Sequence, residues 1–277
     1  MTSEVIKSES ISRKPSAFDK RIHEIDFLRG FLIMLVLMDH LFWCLQNYNG
    51  IWADFHENIK FFKVMADAFG YYWESPAREV VRFIVLFSFC FVSGASSAFS
   101  RNNWIRAGQM LLIAGLIAVG SNLLDASHLL GDSQGSVRID FNVIAVLAWS
   151  TLAYCFFQGK TWRSVAVGVL ILFLLSWFTI PQLHEIFIKK RWTAYVPALW
   201  EPAGQADWLP LFPFIFFFFM GGLFSQFIYK DKKSFIPHKG NWERPFCFMG
   251  RHSLWVYLGH QVVMLPFFLL LNFFLAK

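Results

Sequence analysis

Seven apolar runs, each near twenty residues long, recur along the chain at about 27–46, 80–99, 104–123, 139–158, 162–180, 209–229 and 253–275. At about 1.5 Å of rise per residue, such a run crosses the roughly 30 Å hydrocarbon layer of a bilayer as one helix. Lipid offers no partner for backbone N–H and C=O groups, so a spanning segment must be a helix or a strand of a closed barrel. Barrel strands alternate polar and apolar residues, and these runs do not. The sequence therefore predicts an all-α integral membrane protein of about seven transmembrane helices. Residues 1–25 form a polar tail and residues 26–277 one multi-helix domain. Only 16% of residues are charged, against about 25% in a soluble domain.

Lys and Arg in the connections set the orientation. With the N-terminus cytoplasmic, the inner segments carry fifteen Lys and Arg and the outer ones nine. The predicted topology is N-in and C-out, with the Trp- and Tyr-bearing connections 47–79 and 181–208 outside. The tail has no small-residue cleavage site behind a short apolar stretch, so it does not read as a cleaved leader. The net charge of +6 is dispersed between apolar runs. It orients helices and gives nucleic acid no basic face to bind. Cys44, Cys90, Cys155 and Cys247 are isolated from one another and read as free buried thiols, with no metal-ligand set. Membrane lipid is the expected surrounding partner, and the oligomeric state is not legible.

The first run, "FLRGFLIMLVLMDHLF", carries charge where lipid would exclude it. Arg29 and His40 are eleven residues apart, about 20° past three full helical turns, so they share a face about 16 Å apart along the axis. Asp26 lies within about 60° of both, with Ile33 and Val36 between, while Asp39 points elsewhere. Polar groups inside a membrane are costly and face a cavity or a partner. Arg29 either snorkels to headgroups or holds an anionic ligand. His40 is either a hydrogen-bonded structural residue or a base. In the last run, Ser253 and His260 share a face, with Tyr257 nearby. Asp207, before Trp208 and two prolines, is either a helix N-cap or a hydroxyl-binding carboxylate. Asn122 and Asn142 are candidates to line a cavity. Gly221 and Gly222 suit close helix packing, and the Phe run 214–219 reads as lipid-facing bulk.

Four segments in order carry a resemblance. "EIDFLRGFLIMLVLMDH" resembles the opening helix of a bacterial family of membrane proteins of unknown function that shares its domain with heparan-α-glucosaminide N-acetyltransferase. Its Arg-x10-His spacing is also similar to the type-3 membrane acyltransferases. "FSFCFVSGASSAFSRN" (87–102), "ADWLPLFPFIFFFFMGGLF" (206–224) and "MGRHSLWVYLGHQ" (249–261) resemble later segments of the same family. The pattern departs at "FNVIAV", where Asn142 and Ala145 stand in place of a Gly-x-x-His or Gly-x-x-Gln step.

The resemblance implies transfer of an acyl group from cytoplasmic acetyl-CoA (acyl-CoA) to an acceptor, a sugar of a cell-envelope glycan, in a bacterial cytoplasmic membrane. It carries over to Arg29, His40, Asp207, Arg251, Ser253 and His260. Such a transfer needs a base for the acceptor proton, a stabilised oxyanion and a hold on phosphates. His40 is the expected base, with His260 assisting it or bridging helices. Arg29, Arg251 and Ser253 are the expected cofactor residues, and Asp26, Asp207 and Asn142 the expected substrate residues. The span from Arg29 to His40 matches the reach of a pantetheine arm. Two alternatives stay open: a proton-coupled transporter or channel using His40, Asp39 and His260, and a non-catalytic relative.

Overall fold

A computed structural model of the chain describes residues 22–46, 60–127, 138–189, 197–202, 204–229, 234–236 and 240–275. The described residues form helices α1 (His23–Gln46), α2 (Lys60–Trp73), α3 (Pro76–Ser97), α4 (Asn103–Ala126), α5 (Val143–Cys155), α6 (Trp162–Leu174), α7 (Ile180–Lys189), α8 (Phe214–Ile228), α9 (Arg244–Arg251) and α10 (Ser253–Leu275). No strand occurs among them, only an isolated bridge between Arg138 and Gln205. All seven apolar runs contain a helix. The tail residues 1–21 lie outside the described residues.

Among the described residues, four segments are long and apolar enough to cross a membrane: His23–Leu45, Pro76–Ser97, Asn103–Ala126 and Trp162–Ile186. Three further apolar helices are shorter: Val143–Cys155, Phe214–Ile228 and Ser253–Phe268. Local chemistry explains two of the shorter lengths. Asn142 caps α5, its Oδ1 accepting from Ile144 N and Ala145 N at 3.1 and 3.2 Å, so the helix starts there and not at 139. Pro210 and Pro213 lack a backbone donor, and α8 begins only at Phe214. The run from Trp162 widens to a π-helical turn at Leu175–Thr179 just before Pro181, whose ring cannot sit in a regular α-ladder. The connection 47–79, read as a loop, contains α2. Residues 181–189 continue the preceding run as α7.

We call the end of the bundle where α1 begins the near end and the opposite one the far end. Helix α8 is the hub, packing on α3, α5 and α6. This overturns the reading of the Phe run as lipid-facing bulk. Phe214, Phe216, Phe217, Phe218 and Phe219 are all buried, the last two almost completely. A helix that is apolar all round belongs inside a bundle, where every face meets protein.

Two glycine contacts set the backbone spacing. A methyl group on Gly94 would lie 1.8 Å from Phe218 O, and one on Gly221 1.8 Å from Phe91 O. Helices α3 and α8 therefore touch backbone to backbone, as small residues permit in membrane helices. A methyl on Gly222 would strike the Tyr154 ring at 2.6 Å. Helix α9, unforeseen within a polar connection, meets α1 in the same way. Methyls on Gly30 and Gly250 would lie 1.7 Å from Phe246 O and 1.8 Å from Asp26 O. Phe246 also sits edge-on to Phe27, with ring centroids 5.4 Å apart.

Candidate active site

A cavity of about 130 Å³ lies beside the far half of α1, lined mainly from α1, α3, α10 and the stretch before α8. His40, Asp39, Arg82, Asp207 and Tyr257 supply its polar wall, and side chains such as Val36, Leu86 and Leu209 its apolar wall.

His40 is fixed by its own helix. Its Nδ1 lies 2.8 Å from Val36 O, one turn back. A carbonyl can only accept, so Nδ1 carries a proton, and Nε2 is the nitrogen left for a ligand. His260 repeats the arrangement on α10, with Nδ1 donating to Tyr257 O. Its Nε2 is buried with no hydrogen-bond partner. The two imidazoles meet edge to face, with centroids 4.8 Å apart at 78°. Two helices thus present two rings, each turned by its Nδ1 bond so that Nε2 is the nitrogen left to exchange a proton.

Beside them, Tyr257 donates its hydroxyl to Asp207 Oδ2 at 3.3 Å. Asp207 is not the cap of α8, because that helix starts seven residues later, at Phe214. The segment carrying Asp207 is pinned by its neighbours. Ala206 N donates to Arg138 O at 2.8 Å, Leu209 N to Phe141 O at 3.1 Å, and Trp208 Nε1 to Pro197 O at 2.8 Å. In the same network, Asp140 accepts from Asn122 Nδ2 (2.7 Å), Gln205 Nε2 (2.8 Å) and Arg138 Nη2 (2.9 Å). Asn122 therefore ties α4 to the segments around Asp140 and Gln205 and does not line the cavity. Asp140 escaped the sequence reading because its partners come from three separate segments.

Asp39 does enter the site, although it is off the Arg29–His40 stripe. Arg78 of α3 grips it in a two-point pair, with Nε at 3.0 Å and Nη2 at 2.8 Å, and its guanidinium lies 3.2 Å from the Trp73 ring centroid. Burial, and then the adjacent Asp39 carboxylate, push the Tyr72 phenol above its ordinary pKa, so it remains a neutral donor at the cavity. Removing the carboxylate with Asp39→Ala would strand a mostly buried guanidinium. The expected cost is about 2 kcal/mol, below the ~3–5 kcal/mol of a fully buried broken pair because Asp39 keeps some solvent contact. Thermal unfolding of the purified protein reads this loss. The Asp39→Ala/Arg78→Ala double variant should be less destabilised than the sum of the two single variants.

The near end holds the other expected residues. Arg29 is buried and donates to Gly250 O at 3.4 Å, so it points into the α1–α9 contact and does not snorkel. Arg251 pairs with Asp26 at 3.4 Å. Asp26 is thus at the opposite end of α1 from the cavity, which separates it from Asp207 and from the expected substrate role. Asn142 also departs from that expectation, since its side-chain oxygen caps α5. Ser253 opens α10 at the near end, half-buried, two residues after Arg251. The structure therefore brings His40, His260 and Asp207 together, and groups Arg29, Arg251, Ser253 and Asp26 at the other end. Arg78 and Arg82, one turn apart near the start of α3, were the legible signal for the missing part. Arginines at the edge of a spanning run imply carboxylate partners or a cavity.

A family model described as heparan-alpha-glucosaminide N-acetyltransferase, catalytic, matches residues 21–262. No curated protein and no solved structure matches the chain.

Proposed function

Because this chain belongs to the heparan-α-glucosaminide N-acetyltransferase catalytic family, we propose that it moves an acetyl group from cytoplasmic acetyl-CoA to a sugar of a glycan across the membrane. The family consists of membrane acetyltransferases, and the apolar helices agree with an integral membrane protein. In this reading the membrane is a bacterial cytoplasmic membrane, the N-terminus is inside, seven segments span, and the near end faces the cytoplasm.

The observation that carries the reading is the His40 imidazole on the wall of a cavity that also holds Asp207 and Tyr257, with the His260 ring packed edge to face against it from behind the wall. His40 Nε2 takes the proton of the acceptor hydroxyl or amine. The acceptor attacks the thioester carbonyl, the new C–O or C–N bond forms, and the C–S bond breaks. CoA leaves as thiolate, and the proton returns to it through the imidazole pair. Nδ1–H bonds to backbone carbonyls hold both rings in orientation through this cycle. Asp207 accepts from sugar hydroxyls, with the Tyr257 hydroxyl setting its orientation. Arg29 lies about 16 Å from His40 along the helix, where a guanidinium can grip CoA phosphates in a fork.

Membranes containing the protein, given acetyl-labelled acetyl-CoA and envelope material, should transfer label to a glycan fraction. Asp207→Asn should raise KM for the acceptor about tenfold or more while leaving KM for acetyl-CoA unchanged, as expected for one lost charge-assisted hydrogen bond. Solute flux coupled to pH, with no response to CoA esters, would instead identify a transporter.

A further inference from the structure

Acyl transfer needs a donor for negative charge. When the acceptor attacks the thioester carbon, the carbonyl π electrons move onto oxygen, and that oxyanion is costly in an apolar cavity unless a hydrogen-bond donor meets it. The side chains lining the cavity around His40 narrow the choice. Asp39 and Asp207 carry carboxylates, which accept and do not donate. His40 spends its Nδ1–H on Val36 O, and its Nε2 faces the acceptor proton. The Tyr257 hydroxyl donates to Asp207 Oδ2. Tyr72 borders the Asp39 carboxylate, which attracts its hydroxyl hydrogen. Arg82 is the remaining side-chain donor in the lining, and among the described residues its guanidinium takes part in no hydrogen bond or ion pair.

Helix α3 directs Arg82 inward. Arg78, Arg82, Val85, Leu86 and Phe89 recur at the spacing of three and four residues that makes one helix face. Four of these five are buried. Arg82 is exposed, because the cavity takes the place of a packing partner at that turn. The opposite face of the same turns carries Val80, Phe83 and Ile84, all exposed. The two arginines of the inward face differ in their partners. Arg78 is neutralised by its two-point pair with Asp39, whereas Arg82 keeps its planar fork of donors for a ligand. A guanidinium stays protonated throughout, so it donates without competing for the acceptor proton.

We propose that Arg82 is a catalytic residue of the transfer, donating to the thioester oxygen as negative charge develops on it. This rests on the acetyl-CoA reading above. The step balances within the site. His40 Nε2 takes the acceptor proton, the acceptor lone pair forms the new bond to the carbonyl carbon, and the π pair moves to the oxygen that Arg82 holds. That pair then re-forms the C=O bond and the C–S bond breaks. CoA leaves with the C–S electron pair, and its thiolate takes up the proton.

The test reads binding first, on the full-length protein in nanodiscs. The probes are carboxymethyl-CoA, whose carboxylate puts negative oxygen at the reactive end, and S-ethyl-CoA, a neutral analogue. Arg82→Gln should weaken carboxymethyl-CoA about tenfold or more, the loss of one charge-assisted contact, and leave S-ethyl-CoA binding unchanged. Arg82→Lys keeps the charge without the fork. It should weaken carboxymethyl-CoA less than the Gln variant does, and it carries the test if the Gln variant does not fold. In acetyl transfer, Arg82→Gln should lower kcat about 10²-fold or more, as for one lost oxyanion donor, with KM for acetyl-CoA unchanged. Equal weakening of both analogues, or of neither, overturns the role. A raised KM for the acceptor at native kcat also overturns it, and makes Arg82 a binding residue for an anionic group of the acceptor. Acetyl transfer by the native protein that persists at the same rate in Arg82→Gln defeats this inference alone. A native protein that binds neither analogue and transfers no label defeats the acetyl-CoA reading, and the role of Arg82 with it.

Discussion

His40→Ala is expected to lower acetyl transfer about 10³-fold, in the middle of the ~10²–10⁴ range of general-base catalysis. The loss should fall on kcat, because the imidazole acts on the acceptor proton and makes no contact with CoA phosphates. CoA binding should therefore be unchanged, and that separates a lost base from a lost fold. The geometry makes a partial rescue by His260 small. Its Nε2 lies on the neighbouring helix, and its ring meets the His40 ring edge to face at 4.8 Å. It cannot occupy the position that His40 vacates without leaving its own bond to Tyr257 O. His260→Ala should thus show a smaller rate loss than His40→Ala, measured as label transferred per minute at saturating acetyl-CoA. Native-like turnover in His40→Ala would remove it as the base and transfer that role to His260.

Gly221→Ala should cost about 3 kcal/mol or more, the upper part of the range for overpacking and beyond most single substitutions. The added methyl would lie 1.8 Å from Phe91 O and 2.7 Å from Phe91 C. No rotamer relieves a collision between a Cβ and the backbone of a facing helix. Helices α3 and α8 would have to part, and α8 is the element on which α3, α5 and α6 all pack. Gly94→Ala meets Phe218 O at the same 1.8 Å and should fail in the same way. The control is Gly115→Ala on α4, where nothing lies within 4 Å of the new methyl. That change should be neutral or slightly stabilising, since Ala is the better helix former by about 1 kcal/mol. Yield of monodisperse protein and the thermal midpoint in detergent read all three variants. A Gly221→Ala protein as stable as Gly115→Ala would show that the α3–α8 contact is looser than its backbone geometry implies.

The site was half legible in advance. Arg29 and His40 could be placed on one face from their spacing alone, and Ser253 and His260 likewise. That His40 and His260 would meet required the approach of α10 to α1. The Arg78 grip on Asp39 joins residues thirty-nine positions apart, and nothing local to either one specifies the other. Asp207 looked like a cap because Asp before a proline-rich helix start usually is one, yet the prolines delayed the helix and freed the carboxylate for Tyr257. Asn142 went the other way, from candidate ligand to cap. Its side chain satisfies the backbone N–H groups of the α5 start, a local demand that the sequence reading did not weigh.

What the sequence determined by itself was the class of structure and the position of each apolar helix. The reason is solvation: lipid leaves a spanning backbone one way to satisfy itself, so long apolar runs decide the secondary structure without reference to the rest of the chain. What only the tertiary structure decided was which apolar faces turn inward. In water an apolar stripe marks the buried side, but lipid tails are as apolar as a protein core, so the pattern carries no such mark. The Phe run of α8 therefore read as lipid-facing and proved to be the centre of the bundle. Backbone contact at Gly94, Gly221, Gly30 and Gly250 selected the helix partners. Those partnerships then placed the imidazoles at one end of α1 and Arg29 and Arg251 at the other.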